Sequence, residues 1–424
     1  MNKEDKVIEP KLRFPEFKGK DFWKTEPLGM LAKPLTDKVG EKKVTLMSIT
    51  SGVGLVSQLE KFGREIAGSS QKNYILIKKG DFAYNKSSTK LYPEGEVALL
   101  EKQDEGAVPN SIFTCFRFCS KVIPQFAKHP FSYNIHGNWL RKFIAVGARA
   151  NGALQVNNKD LFATPFPFPS PYEQQKIADC LSSLDELIQA ETERLEALQA
   201  HKKGLMQQLF PAEGETVPKL RFPEFQDSGE WVERELKKHL VAKPDYGINA
   251  PAVPYSKNLP TYLRITDISD EGNYKTEKKV SVAKPVSKSN YLTKGDIVIT
   301  RTGASVGKSY LYSEEDGKLV FAGFLIRVKP DSSKLLPNFL SQFLTTDRYW
   351  EWVVFNSTRS GQPGLNGKQI ESIQIPMPPS IEEQKKISEF LSSINDEIFT
   401  QNEKIETLKS HKKGLLQQLF PQLD

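Results

Sequence analysis

Three cysteines in 424 residues are too few for a disulfide scaffold and point to a reducing compartment. No apolar run is long enough to cross a bilayer, so neither a membrane anchor nor a membrane partner is expected. The opening stretch "MNKEDKVIEP" is charged and lacks the apolar core of a secretory signal, which leads to an expectation of a cytoplasmic protein. A nucleotide-binding loop is also missing. "RTGASVGKSY" comes near one, but Gly303 and Gly307 enclose three residues where a phosphate-wrapping loop needs four before its Gly-Lys pair. A tight glycine turn between strands accounts for it better.

Metal ligands are equally sparse. Cys115 and Cys119 invite a zinc reading with His129 and His136, yet "IFTCFRFCS" reads as a strand. Four residues along a strand put the thiols about 13 Å apart, too far to share one ion. His201 and His411 lie beside lysines in helical sequence with no catalytic partner at suitable spacing. Asp267, Glu277 and Lys279 resemble a nuclease set only loosely. No metal is expected.

What is present is a chain long enough for two or three domains, with a formal charge of +7 and a pI near 8.9 that suit a polyanionic partner. The strongest feature is an internal repeat. "PKLRFPEF" stands at residues 10–17 and again at 218–225. The stretch from Glu173 to Pro211 is answered from Glu383 to Pro421, with about 21 of 39 positions identical at an offset of roughly 210, which marks a duplicated domain rather than a short solenoid repeat.

Both long stretches read as helices. Ser170 with Glu173, and Ser380 with Glu383, have capping-box spacing, and Pro171 suits a first helical position. Ile177, Leu181, Leu184, Ile188, Leu195, Leu198, Leu205 and Leu209 follow a 4-3 spacing, as do Ile387, Leu391, Ile394, Ile398, Ile405, Leu408, Leu415 and Leu419. Such a seam must be buried against another helix, most economically the other copy in an intramolecular antiparallel pair. A dimerising coil between chains is the alternative. Polar Glu191, Gln401, Lys202 and Lys412 interrupt the seam and can fix its register. Gly204 and Gly414 mark either a close helix approach or an interrupted end. Roughly 38 residues would make a spacer of about 57 Å.

The remaining blocks, about 20–168 and 228–378, share a layout. "VTLMSIT" and "TYLRITDI" read as early strands, "KKGDFAYNK" and "TKGDIVITR" as matching turn-and-strand units, and "SIFTCFRF" and "LVFAGFLIRV" as later strands. Aromatic-rich short helices and glycine-bracketed polar loops follow. The expected class is α+β, two tandem mixed α/β domains with two long helices. The expected boundaries are 1–170, 171–211, 212–379 and 380–424.

At the helices ending "HKKGLMQQLFP" and "HKKGLLQQLFP", their "EQ" entries, the "GDF" and "GDI" strands, the "RTGASVGK" turn and the repeated leader, the chain resembles the specificity subunit of type I restriction-modification systems over essentially its full length. The resemblance implies two target-recognition domains, each reading one half of a bipartite double-stranded DNA site, at opposite ends of an antiparallel helical spacer. It also implies docking of modification (methyltransferase) subunits, two by the family pattern, with room for restriction subunits. S-adenosylmethionine, ATP and Mg would then belong to those partners, with no cofactor in this chain. Neither an F-x-G-x-G methyl-donor loop nor an [Asn/Asp]-Pro-Pro-aromatic motif occurs, so the chain is expected to perform no chemistry itself.

Candidate DNA-binding residues follow from loop chemistry. Asn85, Lys86, Ser87, Ser88 and Lys90 combine amide and hydroxyl groups with cations, a mixture suited to base edges and phosphates. Arg301, Thr302 and Lys308 flank the glycine turn, and Arg301 suits either a phosphate or a guanine. Arg149 and Asn151, with Arg359, Ser360 and Gln362, occupy glycine-bracketed loops, where arginine reads guanine and Asn or Gln reads adenine. Two rival functions remain at this stage: an assembly protein presenting duplicated protein-binding domains, and an ATPase or nuclease.

Overall fold

A computed structural model describes residues 8–66, 69–144, 153–269, 271–358 and 363–421. The chain divides into two compact units, one of residues 1–192 with 403–424 and the other of residues 193–402.

The first unit holds two four-stranded sheets and a two-stranded ribbon. One sheet orders Ala32–Leu35, Phe113–Phe118, Phe82–Asn85 and Glu96–Leu99; the other orders Gly54–Ser57, Thr45–Thr50, Glu105–Val108 and Ile75–Lys78. The ribbon pairs Lys24–Pro27 with Pro165–Phe168. The second unit repeats the plan. Asp245–Tyr246, Leu325–Val328, Ile297–Thr300 and Ser309–Leu311 form one sheet, and Ala252–Pro254, Val280–Val282, Thr261–Leu263 and Leu319–Phe321 the other. Its ribbon pairs Val232–Glu235 with Gln374–Met377. Each second sheet contains one parallel pairing, central in the first unit (Thr45–Leu46 beside Gly106–Ala107) and at the sheet edge in the second (Thr261–Leu263 beside Leu319–Phe321).

The Gly-Asp entries have a local cause. Gly80 and Gly295 take φ of 93° and 88°, a left-handed conformation that glycine adopts without steric cost. The following aspartate then closes the turn, because Asp81 accepts from the Lys78 N–H at 2.6 Å and Asp296 from the Thr293 N–H at 2.9 Å. The buried Asp81 carboxylate is further held by Arg117, at 2.5 and 2.9 Å.

Two helices of equal length, Pro171–Leu209 and Ile381–Leu419, run unbroken. Each unit holds an antiparallel pair. In the first, Ile177, Ala178 and Leu181 share a core with Leu416, Leu419 and Phe420. In the second, Met206, Leu209 and Phe210 share one with Ile387, Leu391, Ile394 and Ile398. The partner of the seam is therefore intramolecular. Leu181, Leu391, Ile394, Ile398 and Ile405 are buried, and Leu184, Ile188, Leu195, Leu198 and Leu408 are half-buried. Two of the polar seam positions are paired. Glu191 accepts from Lys404 at 2.6 Å, and Lys412 reaches Asp185. Gly204 and Gly414 are neither close approaches nor breaks within the chain, since an added Cβ would meet nothing within 4 Å and the helix continues past each.

The start of each helix departs from the capping-box expectation. Ser380 does accept from the Glu383 N–H at 3.2 Å, but the glutamate side chain turns away from the cap. Glu173 instead receives Arg13 through Nε and Nη2, both at 2.8 Å, and Trp23 Nε1 at 3.2 Å. Glu383 receives Arg221 through Nε and Nη2, both at 2.8 Å, and Trp231 Nε1 at 3.2 Å. The adjacent glutamines enter the other core layer. Gln174 accepts from the Ile123 N–H at 2.8 Å and donates to Lys121 O, while Gln384 accepts from the Leu336 N–H at 2.9 Å and donates to Lys334 O. Those N–H groups immediately precede the aromatic helices Pro124–Ser132 and Pro337–Phe343, whose first-turn donors have no partner within the helix.

The repeated leader is thus a structural strap. Arg13 and Arg221 come from it, and its backbone also bonds a helix end, Leu12 N–H to Gln418 O and Leu220 N–H to Gln208 O, each at 2.9 Å. Arg221 and Glu383 side chains are only 6% and 1% exposed. Removing one member of such a pair leaves a buried charge uncompensated, a cost of about 3–5 kcal/mol. Arg221→Ala is therefore expected to lower the unfolding free energy of the second unit, read from urea titration, by that amount. A loss below about 1 kcal/mol would be the scale of a surface pair instead.

Candidate nucleic-acid interface

Those residues named from loop chemistry that the structure describes lie at or just beyond the ends of the two Gly-Asp strands. In the first unit, Asn85 ends the strand Phe82–Asn85, and Asn85, Lys86, Ser87 and Ser88 are half-buried while Lys90 is exposed. Burial pushes the Lys86 ammonium below its ordinary value, and its nearest polar partner is Asn158 Oδ1 at 3.5 Å. The Asn85 Oδ1 atom is buried without a hydrogen bond among the described residues, as is Oε2 of Glu96, the residue directly across the ladder. Burial raises the Glu96 carboxyl, against the lowering effect of the Gly52 N–H.

The turn beside that ladder is fixed by packing. Tyr84 donates to Glu94 O at 2.7 Å, Arg141 pairs with Glu94 at 2.7 Å, and His136 lies 2.8 Å from Gly95 O. Because a carbonyl can only accept, His136 carries its proton on Nε2. This histidine and His129 are core residues, and no group of three metal-binding side chains occurs among the described residues. Cys115 is buried on its strand and Cys119 lies just beyond it.

In the second unit, Arg301 follows the strand Ile297–Thr300, and the glycine turn continues as the short turn Gly303–Ser305. Gly307, at φ 89°, faces the helix Asp347–Ser357 so closely that a Cβ would lie 2.7 Å from Val353. Tyr349 also donates to Gly307 O at 2.7 Å. The backbone of this turn is therefore covered by a helix, unlike a loop held open for phosphates. Arg301, Thr302 and Lys308 are half-buried.

Arg301 is held on three sides. Its N–H donates to Phe324 O at 3.0 Å, and its C=O accepts from Leu365 N–H at 2.8 Å. Its guanidinium carbon lies 4.9 Å from the ring centre of Tyr246, and its Nε is buried without an acceptor among the described residues. Loop chemistry alone did not reveal Tyr246, or the exposed Ile112 and Phe324 beside the two basic residues. Tyr246 becomes visible only through strand pairing. Arg149 and Asn151, and Arg359, Ser360 and Gln362, lie outside the described residues. Asp267, from the loose nuclease set, is 5% exposed and held by Arg264 at 2.7 and 2.9 Å.

Comparison with known proteins agrees with this architecture. A family model for the type I restriction modification DNA specificity domain matches twice, over residues 32–200 and 250–410. The chain belongs to that family: it is a type I restriction-modification specificity subunit with two target-recognition domains. It is similar, at 25% identity over 405 residues covering 95% of this chain and 91% of the relative, to a Methanocaldococcus jannaschii protein assigned as the type I restriction enzyme MjaX specificity subunit. The EcoBI specificity subunit of Escherichia coli is 25% identical over 254 residues, 55% of this chain and 52% of that one. In fold, the chain is similar to the S subunit of a type I system from M. genitalium, with a TM-score of 0.60 at 17% identity over 98% of this chain and 100% of that one. A chain from a structure of type I complex assembly gives 0.54 at 19% identity, covering 94% of this chain and 97% of that one. None of the described helices is long and apolar enough to cross a membrane.

The buried histidine gives this region a pH dependence. Burial lowers the fully enclosed His136 to about 4, from an ordinary value near 6.5. The unfolded chain therefore takes up the proton first as pH falls. Its stabilising contribution is complete above about pH 6.5 and is lost down to about pH 4, by about 3 kcal/mol in all. Urea midpoints of the wild type and His136→Phe across this range should converge on acidification. Parallel pH curves for the two would contradict the assignment.

Proposed function

We propose that each target-recognition domain reads one half of a bipartite double-stranded DNA site, the first through the loops around Asn85 to Lys90 and the second through those around Arg301 to Lys308. The observation that carries this reading is the repeat itself: two units whose Gly-Asp strand sits in a sheet of the same order, each presenting a basic residue at the end of that strand. One scaffold with two different tips suits one protein reading two different short sequences. Phosphate neutralisation would supply much of the affinity and make it fall steeply with salt, while contacts to base edges would supply specificity.

In this reading the chain is a non-catalytic subunit working in the cytoplasm. The long helices dock modification subunits, two by the symmetry of the repeat, and restriction subunits can join them. S-adenosylmethionine, ATP and Mg act in those partners, and this chain binds no cofactor.

The test is a genome-wide map of methylated bases in cells expressing the modification partner with and without this chain. The expected result is a split motif that appears only when the chain is present. No new methylation, despite a verified complex of the two proteins, would refute the recognition role.

A further inference from the structure

Lys86 and Arg301 are the same position of the duplicated scaffold, and the backbone shows it bond by bond. Each lies six residues after the glycine of its Gly-Asp turn. Lys86 N–H donates to Ile112 O at 2.9 Å, and Arg301 N–H to Phe324 O at 3.0 Å. Lys86 O accepts from Leu154 N–H and Arg301 O from Leu365 N–H, each at 2.8 Å. The next residue makes an isolated bridge in both, Ser87 to Ala153 and Thr302 to Gly364. The residue whose carbonyl receives the basic residue's N–H is a large exposed apolar one in both units, Ile112 at 41% and Phe324 at 56%.

The side-chain settings differ. Lys86 is a partly desolvated point charge whose side-chain hydrogen bond among the described residues is the long one to Asn158. Arg301 lies over Tyr246, and that ring is fixed at its far end because the Gly367 N–H donates to Tyr246 Oη at 2.9 Å. Asp245, the preceding residue, is anchored by the buried Arg327 at 2.6 and 2.9 Å. No carboxylate pairs with Arg301 among the described residues. A planar guanidinium held against a ring, with no carboxylate competing for it among the described residues, is suited to paired hydrogen bonds from its terminal nitrogens to a planar acceptor edge.

We propose that Lys86 and Arg301 are homologous base-reading positions, and that the Tyr246 platform commits Arg301 to a guanine in the half-site read by the second domain. Tyr246 is then a positioning residue acting through Arg301. Guanine is the base whose major-groove edge offers two acceptors, N7 and O6, to one guanidinium. The proposal rests on the recognition reading above and adds to it the base, the residue and the residue that orients it.

The test is the same methylation map, run on complexes carrying Arg301→Ala, Arg301→Lys, Tyr246→Leu, Tyr246→Phe and Lys86→Ala, each first shown to assemble with the modification subunit. With Arg301→Ala, one guanine of one half-site should lose about 5- to 150-fold of its preference over other bases. Arg301→Lys keeps the charge and should relax the same position. Tyr246→Leu should weaken that preference, and Tyr246→Phe, which retains the ring, should keep most of it. Lys86→Ala should change the other half-site only. Relaxation at an A·T pair rather than a G·C pair, an unchanged motif with Arg301→Ala, or both variants acting on one half-site would overturn the proposal. A wild-type complex that yields no split motif would instead overturn the recognition reading on which it rests.

Discussion

The buried carboxylate at the start of each long helix ties the rest of each unit together. Glu173 joins the leader through Arg13 and the strand ribbon through Trp23, while the neighbouring Gln174 fixes the entry to the aromatic helix. Glu383 and Gln384 do the same with Arg221, Trp231 and Leu336. Desolvating a charge is costly unless it is paired and hydrogen-bonded. The arrangement meets that condition with two guanidinium bonds and one indole bond on each glutamate, so that both carboxylate oxygens accept. Without the carboxylate, the arginine and the indole N–H would share the same unsatisfied interior.

This geometry separates what must be constant from what can vary. The ion pair, the ribbon, the helix pair and the Gly-Asp turn are repeated with little change, whereas the tips beyond Asn85 and Thr300 differ in length and chemistry. A rigid scaffold lets a short loop hold a side chain in a defined pose, and base discrimination by hydrogen bonding depends on that pose. Arg301 on Tyr246 illustrates the point: its backbone is bonded on both sides by the scaffold, while its guanidinium is oriented by a side chain particular to the second domain. Lys86 keeps the backbone bonds without an aromatic platform.

Much of this was legible in the sequence because it is periodic or repeated. The heptad spacing gave both helices and their intramolecular pairing, and the Gly-Asp alignment placed the turns. What escaped depends on partners distant along the chain. The capping-box spacing at Glu173 is a local pattern, yet its carboxylate bonds Arg13, 160 residues away. The leader's role was hidden for the same reason. Tyr246 and Arg301 meet only because the strand Leu325–Val328 pairs with both of their neighbourhoods, a register that no local pattern states. Gly204 and Gly414 were ambiguous in the sequence, and their open surroundings show that neither serves packing within the chain.

The central claim is that one scaffold is used twice and that each copy carries its own reading tip. The most direct test is a chain in which the loops of the second unit that follow its Gly-Asp strand are replaced by their counterparts from the first, assembled with the modification subunit and scored by its methylated motif. The account predicts that the half-site of the second domain changes while the other is retained. A folded, methylation-competent chain that keeps the original motif would show that specificity lies elsewhere and would contradict it.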